Sequence, residues 1–593
     1  MKMRWPVYLL ILAMLLGLMT GCGGQAAPSA ATAPESASAG EAAPQEAAAQ
    51  AENPAAEAAP AEAEPAASAT EEVPGEPEDA PDYREPLSYP LADGSVTFTI
   101  LHNEPALGPM TGQMNMSTYG DFESIALGTE AIGVTPEWTS LSAWSGDTQF
   151  NLVVASGDYP DVFTSIDKYY TGSFAKALED EVIVTIDPEL MAENMPEYWN
   201  LLEDDPDLKR AVTVEDGEFA AWYSIFDKQI VNEGYFIRKD LLDKLGMGIP
   251  ESVNQLNDFA YAAKSEFGLQ SVMMMASDLA VMSEAFGLGS ASAAGTGTTV
   301  ATGAGFSYHR EGDQIVADIT SERYQTYVEQ LHQWYADGIV SQNFTELDSG
   351  NFSGDMEAEL AADRTVICKT LVNSWDNLIT LNPDPDFELA PMVVTLDGGN
   401  VHSGRGERQF DSSSFSSTCD PELYPYILGW MNYWYTEEGA MLGNYGIQGV
   451  DYDYDENGNI YYLEGITQNE YGYPPMLFSR ARCFSGAAFG LMYQDRTVPF
   501  FVEAQNECID LWTSRTDDEE AVPQSLSLTT EESEIVAQYG PDLATFISEE
   551  IPKFVTGARD LATWGDFMAT VEDMHVAELT EVYQAAYDRY FEN

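Results

Sequence analysis

Between Ser95 and Phe163 the chain alternates short apolar runs with longer amphipathic ones, and this alternation constrains the fold more than any other feature. Residues 96–101 (VTFTIL) are apolar and β-branched, follow Asp93-Gly94, and read as a strand. Helical patterning follows over 122–127, a second strand over 133–138 and a helix over 149–155. A turn cluster at 156–161 (SGDYPD) leads into a third short strand at 161–163. Parallel neighbours need a long crossover, usually a helix, so this rhythm predicts an α/β layer with a parallel sheet. With 593 residues the chain is several ordinary domains long, and 45% hydrophobic residues are enough for more than one core.

The N-terminus sets where such a body would work. Lys2 and Arg4 precede an apolar run that closes on Leu18-Met19-Thr20-Gly21-Cys22. A basic start, an apolar stretch and small residues have the layout of a secretory signal. The Gly-Cys ending resembles a bacterial lipobox, which implies cleavage after residue 21 and diacylation of Cys22. A retained membrane span is the competing reading, but residues 7–20 are too short to cross ~30 Å of hydrocarbon at 1.5 Å per residue. No later apolar run approaches ~18 residues, so no further span is expected. Residues 22–92 are rich in Ala, Glu and Pro, with fourteen acidic side chains against the single basic Arg84. Such a segment buries too little to offset chain entropy and reads as a disordered, extended spacer.

The formal charge of −73 arises from 98 acidic and 25 basic residues, and most of it lies beyond residue 92. A surface of this sign repels phosphate backbones, so nucleic acid is excluded as a partner. Cys368, Cys419, Cys483 and Cys508 show no Cys-x-x-Cys spacing, which removes a zinc site. Export permits disulfides; three pairings are available and spacing selects none, while buried free thiols fit equally well. No His-Glu-x-x-His and no Gly-x-Ser-x-Gly arrangement occurs, and no catalytic residue is assigned.

Six segments, in order, carry a family resemblance. Residues 150–161 (FNLVVASGDYPD), 235–246 (YFIRKDLLDKLG), 334–339 (WYADGI), 443–450 (GNYGIQGV), 553–557 (KFVTG) and 583–590 (YQAAYDRY) resemble the extracellular solute-binding proteins of bacterial ABC importers. The branch that they resemble is the lipoprotein one containing alginate-oligosaccharide binders. The resemblance implies a type II periplasmic-binding-protein fold, two α/β lobes around a ligand cleft joined by a multi-segment hinge. It also implies capture of a small solute, most naturally an oligosaccharide, and its delivery to permease subunits. The expected protein is a monomeric non-enzyme held by Cys22 on the extracellular face of the membrane. The lobes are expected at 93–226 plus 364–420 and at 227–363 plus 421–593. A cell-surface glycoside hydrolase and a peptide or cationic-solute binder of the same fold are the alternatives.

Ligand contacts are expected from aromatic and polar side chains in loops that follow strands, where α/β folds hold their ligands. On that criterion the candidates are Trp144, Trp222, Tyr223, Trp375, Asp376, Arg405 and Arg408. Arg238, Lys239 and Asp240 read instead as a solvated helix start, and Thr529 with Glu532 as a capping box. Residues 289–300 (GSASAAGTGTTV) lack the Gly-Lys-Ser/Thr ending of a phosphate loop and read as a surface insertion. Asp453, Asp455, Asn457, Asn459 and Glu464 fall within an EF-hand-like spacing, the calcium reading of this stretch. The flanks alternate as strands around Asn457-Gly458, so a two-residue β-hairpin is the preferred reading and no cofactor is expected.

Overall fold

The computed structural model describes residues 82–592, apart from 106, 108–109, 143–145, 171–172, 215–216, 289–306, 348–351 and 484–488. Cys22, the signal and most of the spacer lie outside the described residues, as do Trp144 and the insertion at 289–300. Thirteen strands are present among the described residues. They are β1 (Val96–Asn103), β2 (Val134–Leu141), β3 (Val162–Thr164), β4 (Trp222–Phe226), β5 (Glu233–Arg238), β6 (Tyr308–Glu311) and β7 (Gln314–Ala317). The chain continues with β8 (Ile367–Leu371), β9 (Leu389–Met392), β10 (Gln409–Phe415), β11 (Tyr452–Tyr454), β12 (Ile460–Tyr462) and β13 (Leu491–Met492).

The expected rhythm opens the first lobe: β1, the helix Glu123–Ile132, β2, the helix Gly146–Ser156 and β3. These strands join a six-stranded sheet of order β13-β4-β10-β3-β1-β2. β1 runs parallel to β2 and β3, β13 runs parallel to β4, and β10 alone is antiparallel to its neighbours β3 and β4. Phe98 and Ile100 of β1 point into a core closed by the helix Tyr424–Tyr433, whose Trp430 meets Phe98 edge-on at 5.9 Å. The second lobe is built on the three-stranded antiparallel sheet β8-β5-β9. Its largest core gathers Phe259, Tyr327, Leu331 and Trp334 against Leu543, Ile547, Ile551 and Phe554 of the long helix Thr530–Thr556. That helix starts with the expected capping box: Thr529 Oγ1 accepts from Glu532 N at 3.2 Å, and Glu532 Oε2 accepts from Thr529 N at 2.8 Å.

The packing redraws the expected division. β8 and β9, assigned to the first lobe with 364–420, flank β5 in the second. The segment 421–492, assigned to the second lobe, supplies Trp430, Trp434 and Phe489 to the first core. Strand pairing across more than a hundred residues decides both, and no local pattern encodes it. The body also begins earlier than residue 93. Arg84 pairs with Glu189 at 2.9 Å, Tyr89 Oη donates to Gly429 O at 3.0 Å, and Leu91 N donates to Ile132 O at 2.8 Å. The chain crosses between the two sets of cores three times, at 227–232, 395–408 and 493–500. No helix of the described residues is long and apolar enough to cross a membrane.

The Arg238 expectation is corrected too. Arg238 is 3% exposed, its Nε lies 2.7 Å from Asp240 Oδ1, and its guanidinium stacks 4.4 Å from the Phe387 ring centroid. Asp363 completes the pairing. Cys368, Cys419, Cys483 and Cys508 are buried, and no disulfide joins them. Gly128, in the helix Glu123–Ile132, tests how tightly the first core is set: a Cβ there would sit 2.3 Å from Cη2 of the fully buried Trp434. Alanine gains ~1 kcal/mol of helix propensity over glycine, but overpacking costs ~1–3 kcal/mol. Gly128→Ala is therefore expected to lower the urea midpoint; an unchanged or raised midpoint would show that this contact yields.

Candidate functional site

Because β1, β2, β3, β4 and β13 run the same way, their carboxyl ends share one edge of the sheet, together with the start of the reversed β10. Crevices outside such an edge are where open α/β sheets bind ligands. A cavity of about 960 Å³ lies there. Its first-lobe wall comes from the residues after β3 (Asp167, Lys168, Phe174) and from Tyr223, Phe226 and Phe410. The opposite wall is the stretch 524–530 and the first turns of the helix Thr530–Thr556, and the crossings 228–232 and 405–407 close the back.

Aromatic rings and amides dominate the lining. Phe226 and Phe410 stack with ring centroids 4.1 Å apart, and Phe174 stands edge-on to Tyr223 at 6.4 Å. Gln229, Asn232, Gln409, Gln494 and Gln524 supply donors and acceptors around them. Two carboxyl groups are desolvated in the same cavity. Burial raises the pKa of Asp167 although the Ser412 hydroxyl donates to it. Burial likewise raises that of Glu407, whose Oε1 accepts from Gln524 N at 2.6 Å and Ser525 N at 3.0 Å. The cations are all paired: Lys168 with Asp411, Lys176 with Asp180 at 2.5 Å, Lys228 with Asp495 at 2.7 Å and Arg405 with Asp518 at 3.0 Å.

Of the residues singled out from sequence, Tyr223 and Arg405 line this cavity. Trp222 does not. Strand alternation turns it to the other face of β4, fully buried and edge-on to Phe415 at 5.1 Å. Trp375 packs 5.5 Å from Phe236 in the second lobe, and the Asp376 side chain lies outside the described residues. Arg408 works as a structural tie, its Nε donating to Phe226 O at 2.9 Å and its Nη1 pairing with Asp205 at 2.7 Å. The stacked pair Phe226–Phe410 was missed; each ring is unremarkable in sequence and they meet only through the β4–β10 register. Asp167 was missed as well, although it follows a strand directly, as loop-borne ligand contacts do.

The stretch 453–464 forms the expected hairpin with a different turn. Tyr454 faces Ile460, Asp455 N donates to Asn459 O at 2.9 Å, and Gly458 has φ 85°. Three residues, not two, thus separate the last bonded pair, and glycine supplies the left-handed conformation that ends the turn. Asp455 Oδ1 accepts from Asn457 N and Asn459 N at 2.8 Å each, so this carboxylate serves its own turn. Among the described residues one group of three potential metal ligands converges, His402, Asp517 and Glu519. There His402 Nδ1 is already committed to Asp517 Oδ1 at 2.7 Å.

Glu407 provides a pH test of the cavity's back wall. Its folded pKa lies above the ordinary carboxylate value of about 4.3. The stability linked to it is fully present below that value and is lost as pH rises through the folded pKa. Relative to wild type, Glu407→Gln should therefore be more favourable at pH 7 than at pH 4. Paired melting curves at the two pH values check this, and a difference independent of pH would remove the desolvation argument.

No protein-family model and no curated protein matches the chain. Solved structures do. An extracellular solute-binding protein from Bifidobacterium longum subsp. infantis aligns at TM-score 0.64 and 15% identity, over 84% of this chain and 98% of that one. An HMO-binding, ABC-transporter-associated solute-binding protein from Bifidobacterium longum infantis ATCC 15697 gives TM-score 0.63 and 14% identity, over 84% and 99%. The alginate-binding protein AlgQ2 gives 0.58 and 17%, over 83% and 98%. The fold of this chain is the type II periplasmic-binding-protein fold that these ABC-transporter solute-binding proteins share.

Proposed function

We propose that the protein is a solute receptor that captures an oligosaccharide in the cavity between its lobes and delivers it to an ABC importer. The observation that carries this reading is the 960 Å³ cavity at the sheet's carboxyl edge, walled by stacked aromatic rings and rimmed by side-chain amides. Sugar rings offer apolar C–H faces to aromatic surfaces and hydroxyls to amides, and concave sites combine the two. Three chain crossings leave the lobes free to close on a ligand by hinge motion. Likeness in fold supports the same class: among the similar structures are proteins described as binding alginate, HMO and, for FusA of S. pneumoniae, kestose. No catalytic role is assigned, and no cofactor is invoked.

A thermal-shift screen of the full chain with oligosaccharides, peptides and polyamines tests the binding claim. A ligand specific to the folded state raises the midpoint through RT ln(1 + [L]/Kd). An oligosaccharide is expected to do so without being cleaved, and Phe410→Ala, checked for folding by circular dichroism, should weaken it at least tenfold, about 1.4 kcal/mol. Stabilisation by peptides or polyamines alone, or release of sugar products, would overturn the reading. Calcium and EDTA are expected to leave the midpoint unchanged, since Asp455 is engaged within its own turn.

The Gly21-Cys22 ending extends the proposal to a lipid-anchored protein on the outer face of the cytoplasmic membrane. Two acyl chains anchor stably where one binds only marginally. Cys22→Ser should release the protein from the membrane fraction, and unaltered fractionation would refute the anchor.

A further inference from the structure

The cations of the large cavity are all neutralised, but two just beyond it have no carboxylate partner among the described side chains. Phe226 and Phe410 also form a wall of a smaller cavity of about 310 Å³, lined further by Arg480, Arg496, Tyr462, Asn444 and Asn373. Among the described residues no carboxylate lines it. Both arginines are half-buried, and neither has a carboxylate within 4.0 Å among the described side chains. Arg496 Nη1 donates to Tyr493 O at 2.8 Å, and the charge of Arg480 opposes that of Arg496. Burial is the largest influence on Arg496 and pulls its pKa below the ordinary guanidinium value. The nearby acids are occupied elsewhere, Asp495 by Lys228 at 2.7 Å and Asp227 by the backbone N–H of Gln494 at 2.8 Å.

This arrangement is costly in a chain with 98 acidic and only 25 basic residues. Two like charges near one another in a desolvated recess repel, and the single backbone carbonyl that Arg496 reaches replaces only part of the hydration its guanidinium loses. Carboxylates were abundant enough to pair both. The cavity also lies off the ends of β4 and β13, on the far side of one aromatic stack from the large cavity. We propose that it is an acid-recognising subsite of the cleft, where Arg480 and Arg496 hold a carboxylate or sulfate carried by the bound sugar. Planar guanidinium forks match such oxyanions with paired, charge-assisted hydrogen bonds. A neutral sugar residue at this place would leave both charges uncompensated. The inference rests on the solute-receptor reading and narrows its substrate class to acidic oligosaccharides.

The test uses the full chain and three small probes, D-glucuronate, sodium sulfate and glucose, at matched ionic strength. Glucuronate or sulfate at ten times its Kd should raise the melting midpoint by about 2 °C, and glucose should not. The gain should vanish in Arg480→Gln/Arg496→Gln and persist in part in the Arg480→Lys/Arg496→Lys control, which keeps the charge and the fold. Stabilisation by glucuronate identifies a carboxylated sugar, and by sulfate alone a sulfated one. Absence of an effect from either anion, or a gain that survives in the double Gln variant, overturns the subsite. The two readings fail separately. Oligosaccharide binding that depends on Phe410, with no anion effect, leaves the receptor standing without the subsite. An arginine-dependent anion effect with no oligosaccharide binding removes the sugar receptor instead.

Discussion

The direction of β10 governs the architecture of the site. The chain returns from the second lobe into the middle of the first-lobe sheet, between β3 and β4, and runs against both. The other five strands stay mutually parallel, so their carboxyl ends and the start of β10 fall on one edge. Loops leaving those strands must therefore open toward the crossings and the second lobe. Placing Tyr223, Phe226 and Phe410 around one cavity needs no further device. β4 ends where β10 begins, and the pairing of Phe410 with Ser224 brings the Phe410 ring over Phe226.

Charge is handled differently inside and outside that edge. With roughly four acids to each base, a cation within the body can nearly always find a carboxylate, and most do. Arg238 shows the extreme: it is buried with Asp240, the exposed Asp363 pairs with it from outside, and Phe387 covers its face. Replacing such a pair by apolar groups often costs little, whereas removing one partner is strongly destabilising. The pair thus fixes the turn from β5 into the following helix more than it adds net stability. Against that background Arg480 and Arg496 have no such partner among the described side chains. Lys264, Arg310 and Arg515 also lack a carboxylate among the described side chains, but each is held by two or more backbone carbonyls; Arg496 has one, from Tyr493.

Local order was readable from the sequence wherever a short-range rule decides it. The opening strand–helix alternation, the Thr529–Glu532 capping box and the hairpin around Asn457-Gly458 each depend on residues within a few positions of one another. What depends on distant pairing was not readable. β8 looks like any apolar β-branched strand, and only its pairing with β5 places it in the second lobe. Trp222 and Tyr223 are adjacent and equally aromatic; the pleat sends one to the core and the other to the cleft. Arg238-Lys239-Asp240 has the composition of a solvated helix start, and only the approach of Asp363 and Phe387 makes it a core. The large cavity shares this origin, since its two walls are some three hundred residues apart in the chain.

The middle crossing shows where the lobes can pivot. Between Val401 and Glu407 the chain is bonded to 515–525: Val401 N donates to Arg515 O, Gly404 N to Asp517 O, Arg405 pairs with Asp518, and Glu407 accepts from Gln524 and Ser525. One residue later the partners change, as Arg408 binds Phe226 O and Asp205, both in the first lobe. The first crossing changes allegiance as abruptly. Asp227 N donates to Met492 O, whereas Val231 N donates to Thr513 Oγ1 and Asn232 O accepts from Val372 N. In the third, Tyr493 N donates to Asn444 Oδ1, while Gln505 Nε2 donates to Val372 O. A hinge is a short stretch that absorbs backbone rotation while its flanks stay with their own bodies. The structure supplies three such changes, and Phe226 and Arg405, at two of them, both line the large cavity. On the proposed reading, a ligand seated there would touch residues at two of these changes, so binding and closure would share one set of contacts.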